Sequence, residues 1–381
     1  MLPLRLIRRA VALLAATVML GGAAAAAPIE TSAREALLVD FTTGTVLYEK
    51  NADELMPPSS MSKLMTAYMV FERLKQGRLS LEDTFPVSER AWRKQGSKMF
   101  VAVGSRVKVE DLLRGIIVQS GNDACIVVAE GLANDEQAFA ELMTRRAREI
   151  GLTNSVFRNA TGWPDPEHVM TARDLATLAR RIILDFPEYY KYYAETNFKY
   201  NDISQGNRNP LLYKNMGADG LKTGHTEAAG YGLTASAQRN GRRLILVVNG
   251  LPSVKARSEE SERLLEWGFR EFENVRMFAA GDVVSEAEVW LGEQAKVPLL
   301  SKEDVEFTFP RHARRTMKVA AVFEGPLPAP IKKGQEVAKL VISVPDGPTR
   351  ELPLYAGADV AKLGFAGRIG SAVKHIVFGS N

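Results

Sequence analysis

The alternation of apolar and polar positions divides this chain into elements. Residues 35–53, EALLVDFTTGTVLYEKNAD, read as two strands joined at Thr42-Thr43-Gly44, a hairpin. Residues 61–77 place Leu64, Ala67, Tyr68, Phe71 and Leu74 at helical spacing, with a serine of PPSS to start the helix and Gly77 to close it. Residues 109–133 read as two helical runs interrupted at QSGN, and the pattern stays helical to about Leu184. Residues 231–251 are two strands around Arg239-Asn240-Gly241, and the amphipathic run 258–273 suits a helix covering them. Strands at both ends of a helical middle predict one α+β domain over 28–274, in which a single sheet gathers the first hairpin and the last. From Val275 the pattern changes to short strands separated by Pro and Gly, which predicts a small all-β sandwich over 275–360. In the tail, 361–381, Phe365, Ile369, Ala372, Val373, Ile376 and Val377 share one helical stripe, with Lys362, Arg368, Lys374 and His375 beside or opposite it. That is the pattern of a basic amphipathic helix lying in a membrane interface, the alternative being a helix packed on the β domain.

Residues 1–27 stand apart. Arg5, Arg8 and Arg9 precede an apolar run, AVALLAATVML, and the small residues GGAAAAAP. The run is too short to span a bilayer, so the segment reads as a secretory leader cleaved near Ala26 or Ala27. Without its three arginines the formal charge falls from +4 to +1. No basic stripe remains, so nucleic acid is not an expected partner. The single cysteine, Cys125, permits no internal disulfide and lies in an apolar helical run, as a core residue would. No cluster of Cys, His and carboxylates has metal-ligand spacing, and neither a metal nor a cofactor is expected. His168, in a Pro-rich loop, and His312, in a basic turn, are both expected at the surface.

Chemistry enters at PPSSMSKLM, residues 57–65. Ser60 and Lys63 lie one helical turn apart, at a helix start where the dipole favours developing negative charge. A lysine held neutral by burial could take the proton of such a serine. Alone, the pair is also what an ordinary helix start looks like. Sixty residues on, VQSGND carries Ser120, Gly121 and Asn122: a hydroxyl that can relay a proton and an amide that can hold a substrate carbonyl. A further 102 residues on, DGLKTGHT carries Lys222 and Thr223, a cation and a hydroxyl suited to a carboxylate, and Gly224, which allows the substrate close to the strand. The ordered set S-x-x-K, S-x-N, K-T-G marks the penicillin-recognising serine acyl-transferases.

With these motifs, and with segments such as NRNPLLYKN, ADGLKTGHTEAAGYGLTASA and RLLEWGFREFE, the mature chain resembles the low-molecular-mass penicillin-binding proteins, D-alanyl-D-alanine carboxypeptidases of peptidase family S11. The resemblance implies a β-lactamase/transpeptidase-like catalytic domain, an antiparallel sheet flanked by helices with a helical subdomain. A β-sandwich and a C-terminal amphipathic anchor follow, in an enzyme exported to the periplasm and attached to the outer face of the inner membrane. It implies that Ser60 attacks the carbonyl of the penultimate D-Ala of a peptidoglycan stem peptide, or a β-lactam, and that Lys63 accepts its proton. Ser120 would pass a proton to the leaving D-Ala, and Asn122 would hold the acyl side chain. Lys222 would tune the field at Ser120, and Thr223 would bind the terminal carboxylate. The backbone N–H groups of Ser60 and His225, next to Gly224, would form the oxyanion hole, with the His225 ring a pocket wall. Arg257, between the last strand and its covering helix, resembles the family's second carboxylate-binding group, the alternative being a solvated helix-start charge.

Three other outcomes share these motifs. An endopeptidase or transpeptidase uses the same acyl-enzyme with a different bond or acceptor. A class A β-lactamase needs a loop glutamate, for which Glu149 is the nearest look-alike, and carries Asp where this chain has Gly121. A catalytically dead wall-binding protein would not need every motif residue intact.

Overall fold

The computed structural model describes residues 29–344 and 349–364. The leader and residues 365–381 of the tail therefore lie outside the described residues. Among the described residues no helix is long and apolar enough to cross a membrane.

The first unit contains β1 (Glu35–Asp40), β2 (Val46–Lys50), α1 (Lys63–Lys75), β3 (Thr84–Pro86), α2 (Glu89–Arg93), β4 (Arg106–Lys108), α3 (Val109–Ile117), α4 (Asn122–Ala133), α5 (Glu136–Glu149) and α6 (Ala172–Asp185). It continues with α7 (Pro187–Tyr190), β5 (Asn197–Tyr200), β6 (Ile203–Gly206), β7 (Ala218–Thr226), β8 (Gly230–Arg239), β9 (Arg242–Leu251) and α8 (Val254–Glu271). An antiparallel sheet in the order β2-β1-β9-β8-β7 joins the first hairpin to the last strands, as the pattern predicts. Its two faces are sealed by alternation along the strands. Leu37, Ile245 and Val247 belong to the large core built with α1, α3, α4, α5 and α6. Their neighbours Ala36, Leu38, Leu244, Leu246 and Val248 pack with Leu264, Leu265 and Trp267 of α8 on the other face.

Two local expectations change. Residues 150–171, in a stretch read as helical to about Leu184 apart from a Pro-rich loop at His168, form one long loop pinned by bridges between Val156 and Val169 and between Met56 and Met170. Gly151, Gly162, Pro164 and Pro166 fall within it, and each opposes helix. The last helix also begins earlier than predicted. The Ser253 hydroxyl caps it by accepting from Ala256 N–H at 3.0 Å, so Arg257 lies inside α8.

The second unit holds β10 (Phe272–Phe278), β11 (Val283–Trp290), β12 (Lys296–Leu300), β13 (Val305–Pro310), β14 (Lys318–Val322), β15 (Leu327–Pro328), β16 (Glu336–Ser343) and β17 (Thr349–Ala356). A six-stranded sheet and the pair β10-β13 share one core. Its first strand, β10, starts at Phe272, directly after α8. It docks on the first through buried Asp40, whose carboxylate accepts from Asn274 Nδ2 (3.0 Å) and Arg242 Nε (2.9 Å). His312 is exposed in a short turn, as expected.

Candidate active site

Pro57-Pro58 lead into a 3-10 turn, Ser59–Ser62, that runs directly into α1. No serine caps the helix; the turn's own bond, Met61 N–H to Pro58 O at 3.1 Å, replaces a side-chain cap. This geometry frees the Ser60 hydroxyl, and Lys63 Nζ lies 2.8 Å from it. Lys63 is 1% exposed, and burial pushes its pKa down to about 8. Cys125 and Asp123 oppose that shift, while Arg208 and Lys94 add to it. Nζ also donates to Thr161 O at 2.6 Å. A neutral amine has two hydrogens and one lone pair, so spending a hydrogen on Thr161 helps aim the lone pair at Ser60.

That carbonyl is held from several sides. Asn159 Oδ1 accepts from Thr161 N (3.1 Å), Thr161 Oγ1 (3.0 Å), Gly162 N (2.8 Å) and Trp163 N (3.0 Å). Ala160 N donates to buried Glu136 (3.1 Å), and Ala160 O accepts from Thr66 Oγ1 (2.7 Å). Gly162, at φ +76°, lies against the turn that carries Ser60: a Cβ there would fall 1.8 Å from Ser59 O. Ser59 thus packs the turn that carries Ser60, and its hydroxyl also lies 3.2 Å from Thr226 Oγ1.

The break between α3 and α4 supplies the second motif. Ser120 is buried with φ +60°, and Ser59 has φ +50°; left-handed backbone at two non-glycine residues is a cost that tertiary contacts must hold. The contacts are visible. Gly121 N donates to Gly115 O (2.8 Å) and Asn122 N to Ser97 O (2.7 Å). The buried Asp123 carboxylate gathers the N–H groups of Met99 (2.9 Å), Phe100 (2.8 Å) and Val101 (3.2 Å). Asn122 Nδ2 donates to Gln95 O (2.8 Å), which fixes the amide and leaves Oδ1 as its acceptor.

Strand β7 carries the third motif along its edge of the sheet. Lys222 and Thr223 are buried; Lys222 Nζ lies 3.2 Å from Thr223 O. Burial, then the charges of Lys63 and Arg208, hold the Lys222 pKa well below its usual value. Gly224 differs from its sequence reading in one respect. A Cβ there would sit 2.9 Å from Pro58 O and 3.1 Å from Met61 Cγ, so the glycine admits the Ser59–Ser62 turn against the strand. His225 is exposed and stacks on Tyr231, its partner on β8, with ring centroids 3.9 Å apart. The Arg257 guanidinium lies 5.8 Å from the same Tyr231 ring. Arg257 is buried, not solvated, and burial brings its pKa down to about 10.

The structure thus joins Ser60 to Lys63 directly, sets Gly224 against the same turn, and couples Lys222 to Lys63 through their charges. Sequence reasoning missed Arg208, Asn159, Thr161 and Tyr231. Arg208 donates to Ser97 Oγ at 2.5 Å, and its own pKa is lowered by burial. Only the segment NRNPLLYKN hinted at it. Among the described residues none of Lys63, Lys222, Arg208 and Arg257 is ion-paired, so the site gathers basic groups suited to a carboxylate. His168 corrects its expectation: it is 2% exposed, packed edge-on to Phe157 at 5.5 Å, with its pKa pushed down to about 4 by burial. The loop folds back on the core and takes the ring with it. Glu149, by contrast, is exposed and paired with Arg146, and the loop offers Lys63 a carbonyl rather than a carboxylate. Among the described residues no group of three or more His, Cys, Asp or Glu could hold a metal ion.

A serine within hydrogen-bond reach of a buried lysine whose pKa is lowered to about 8, in a cationic cleft, defines a serine acyl-transfer site. Comparison with known proteins gives the particulars. The family model for D-alanyl-D-alanine carboxypeptidase, peptidase S11, matches residues 22–253, and that for the C-terminal domain of penicillin-binding protein 5 matches 272–362. The D-alanyl-D-alanine carboxypeptidase DacC of Escherichia coli is 40% identical over 91% of this chain and 90% of its own length. The crystal structure of penicillin-binding protein 5 from Haemophilus influenzae superposes with a TM-score of 0.79 at 39% identity, covering 88% of this chain and 99% of that one. Penicillin-binding protein D2 of Listeria monocytogenes, in its ampicillin-bound form, gives a TM-score of 0.59 at 30% identity, covering 64% of this chain and 99% of that one. The chain belongs to peptidase family S11, the D-alanyl-D-alanine carboxypeptidases.

Proposed function

We propose that this enzyme removes the terminal D-Ala from peptidoglycan stem peptides ending in D-Ala-D-Ala, with Ser60 as the acylated residue. The proximity of Ser60 Oγ to a buried Lys63 Nζ, 2.8 Å, carries the reading. The Ser60 proton passes to neutral Lys63 as Oγ bonds to the carbonyl carbon of the penultimate D-Ala. The backbone N–H groups of Ser60 and His225 receive the oxyanion. As the C–N bond breaks, Ser120 hands its proton to the departing amine and takes in its place the one held by Lys63, in the field of Lys222. Asn122 holds the acyl component; Thr223 and Arg257 hold the terminal carboxylate. Water then cleaves the ester and restores Ser60. A β-lactam enters by the same attack and leaves Ser60 acylated, a reading supported by the ampicillin-bound relative. Trimming the pentapeptide limits cross-linking and so regulates cell shape.

The proposal includes export through residues 1–27 to the periplasm and attachment to the inner membrane through 361–381, on the pattern of those segments. Three experiments test these parts. Intact-mass analysis after incubation with benzylpenicillin should show one adduct, absent in Ser60→Ala, and D-Ala should be released from a D-Ala-D-Ala peptide; no adduct on the intact chain would sink the mechanism. Product analysis on cross-linked wall peptides separates the carboxypeptidase from endopeptidase and transpeptidase outcomes. Deleting 361–381 should move the protein from the membrane fraction to the soluble periplasm, and identical fractionation would refute the anchor.

A further inference from the structure

The two large sheets have four edges, and three of them carry a feature that discourages pairing with another chain. In the first unit β2 and β7 are each joined to their neighbour through a register shift, and β2 ends in Glu49-Lys50. Register shifts and charges keep an edge strand from accepting a foreign one. In the second unit the six-stranded sheet runs β14-β16-β17-β12-β11-β15. Its β15 edge is two residues long and ends in Pro328. Its β14 edge, KVAAV, pairs with β16 over five residues without a shift, and past Lys318 it holds neither a charge nor a proline.

This edge also leaves apolar surface uncovered. Side chains alternate along β14, so Val319, Ala321 and Phe323 share one face. Ala321 and Phe323 pack against the core of the second unit, yet Val319 on the same face is 42% exposed. On the opposite face Lys318 and Ala320 are exposed, as is Val322. Among the described residues no strand pairs with the outer side of β14, so its outward N–H and C=O groups form an open template. Lys318 and Glu324, at the two ends of this stretch, are exposed and make no ion pair among the described residues.

We infer that β14 is where two copies of this chain pair, antiparallel, about a two-fold axis at Ala321. Charge and side-chain size select both the occupant and the register. Centred on Ala321, the pair sets Val319 against Phe323 of the second copy, a β-branched side chain against an aromatic one, on the face that continues the core. The same register sets Lys318 against Glu324 of the second copy, and symmetry makes that ion pair twice. Centring the pair on Ala320 or Val322 opposes Lys318 to Val322 or Pro326 instead and loses both ion pairs. Two-fold pairing uses the same strand on each copy, so the assembly closes at two chains. The second unit thereby gains a task of its own, joining two catalytic units.

The test is sedimentation equilibrium of the full chain in density-matched detergent, for the wild type, Lys318→Glu, Glu324→Lys and the double variant carrying both changes. The wild type should form a reversible dimer. Each single reversal replaces two attractive pairs by two repulsive ones and should raise the dissociation constant at least about tenfold. The double variant exchanges the charges and should return to within about threefold of wild type. A wild type that stays monomeric up to about 100 µM overturns the proposal. So does a dimer that all three variants leave unchanged, which uses another surface, or a double variant no better than the singles, which lacks this register. A chain lacking 365–381 that dimerises where the full chain does not would assign β14 to the tail and overturn the second copy as its occupant.

Discussion

Titrating the acylation rate isolates what burial does to Lys63. In water a lysine with a pKa of 10.5 is neutral in roughly three molecules per ten thousand at pH 7. Held at about 8, it is neutral in roughly one in ten, a gain of about 300-fold in the form that can take the Ser60 proton. The neutral fraction is about one per cent at pH 6 and one half at pH 8. The second-order rate of Ser60 acylation by benzylpenicillin, followed by stopped-flow fluorescence, should therefore rise about fiftyfold between those values and level off by pH 9. Lys63→Arg places a permanent cation there and should lose at least about a thousandfold at every pH. The same shift has a stability consequence of opposite sign to the usual lysine partner. Because the folded pKa lies below the unfolded one, the buried charge destabilises the fold fully below about pH 8, and the cost is relieved as pH rises toward 10.5. A shift of that size corresponds to about 3 kcal/mol, from which a Lys63→Met variant loses roughly 1–2 kcal/mol through the orphaned Thr161 carbonyl. That variant should be inactive yet more stable than wild type at pH 7 by about 1–2 kcal/mol in denaturant unfolding. A flat rate profile from pH 6 to 9, or a Met variant that acylates within tenfold of wild type, refutes the general-base argument.

Three further outcomes follow from the same contacts. Asn159→Ala removes the acceptor of four hydrogen bonds that hold the Thr161 carbonyl and should slow acylation at least about tenfold, whereas Asn159→Asp keeps an acceptor and should restore most of it; equal rates in the two variants would refute the positioning role. Gly162→Ala drives a methyl into Ser59 O at a left-handed backbone position, so penicillin adduct formation, read by intact mass, should fall about a hundredfold while circular dichroism stays native-like. Arg257→Ala should raise KM for D-Ala-D-Ala peptides by about tenfold or more with a smaller change in kcat, and a peptide ending in a carboxamide should be insensitive to it; a pure kcat effect would place Arg257 outside substrate binding.

Most of what one stretch of chain can settle by itself was legible in the sequence. Asn240-Gly241 turned the β8–β9 hairpin, the apolar period of 61–77 made α1, and Ser60, Lys63, Ser120, Asn122 and Lys222 stood out because three short motifs recur in a fixed order. Hairpins, helix faces and motif spacing depend on neighbours within a few residues, and alternation or a 3.6-residue period reports them directly. The loop of 150–171 was harder, since its glycines and prolines stop a helix without saying where the chain goes instead. Its path decided two things at once: the burial of His168 and the Thr161 carbonyl against Lys63. Arg208 is held in place through Ser97, 111 residues earlier in the chain, Tyr231 reaches His225 through the β7–β8 pairing, and Arg257 lies within α8, which starts at Val254. Burial and charge coupling are sums over residues far apart in the chain. The sequence by itself therefore determined which groups are chemically able to act, and tertiary closure of the sheet decided which are desolvated and in contact, and with them the low pKa of Lys63.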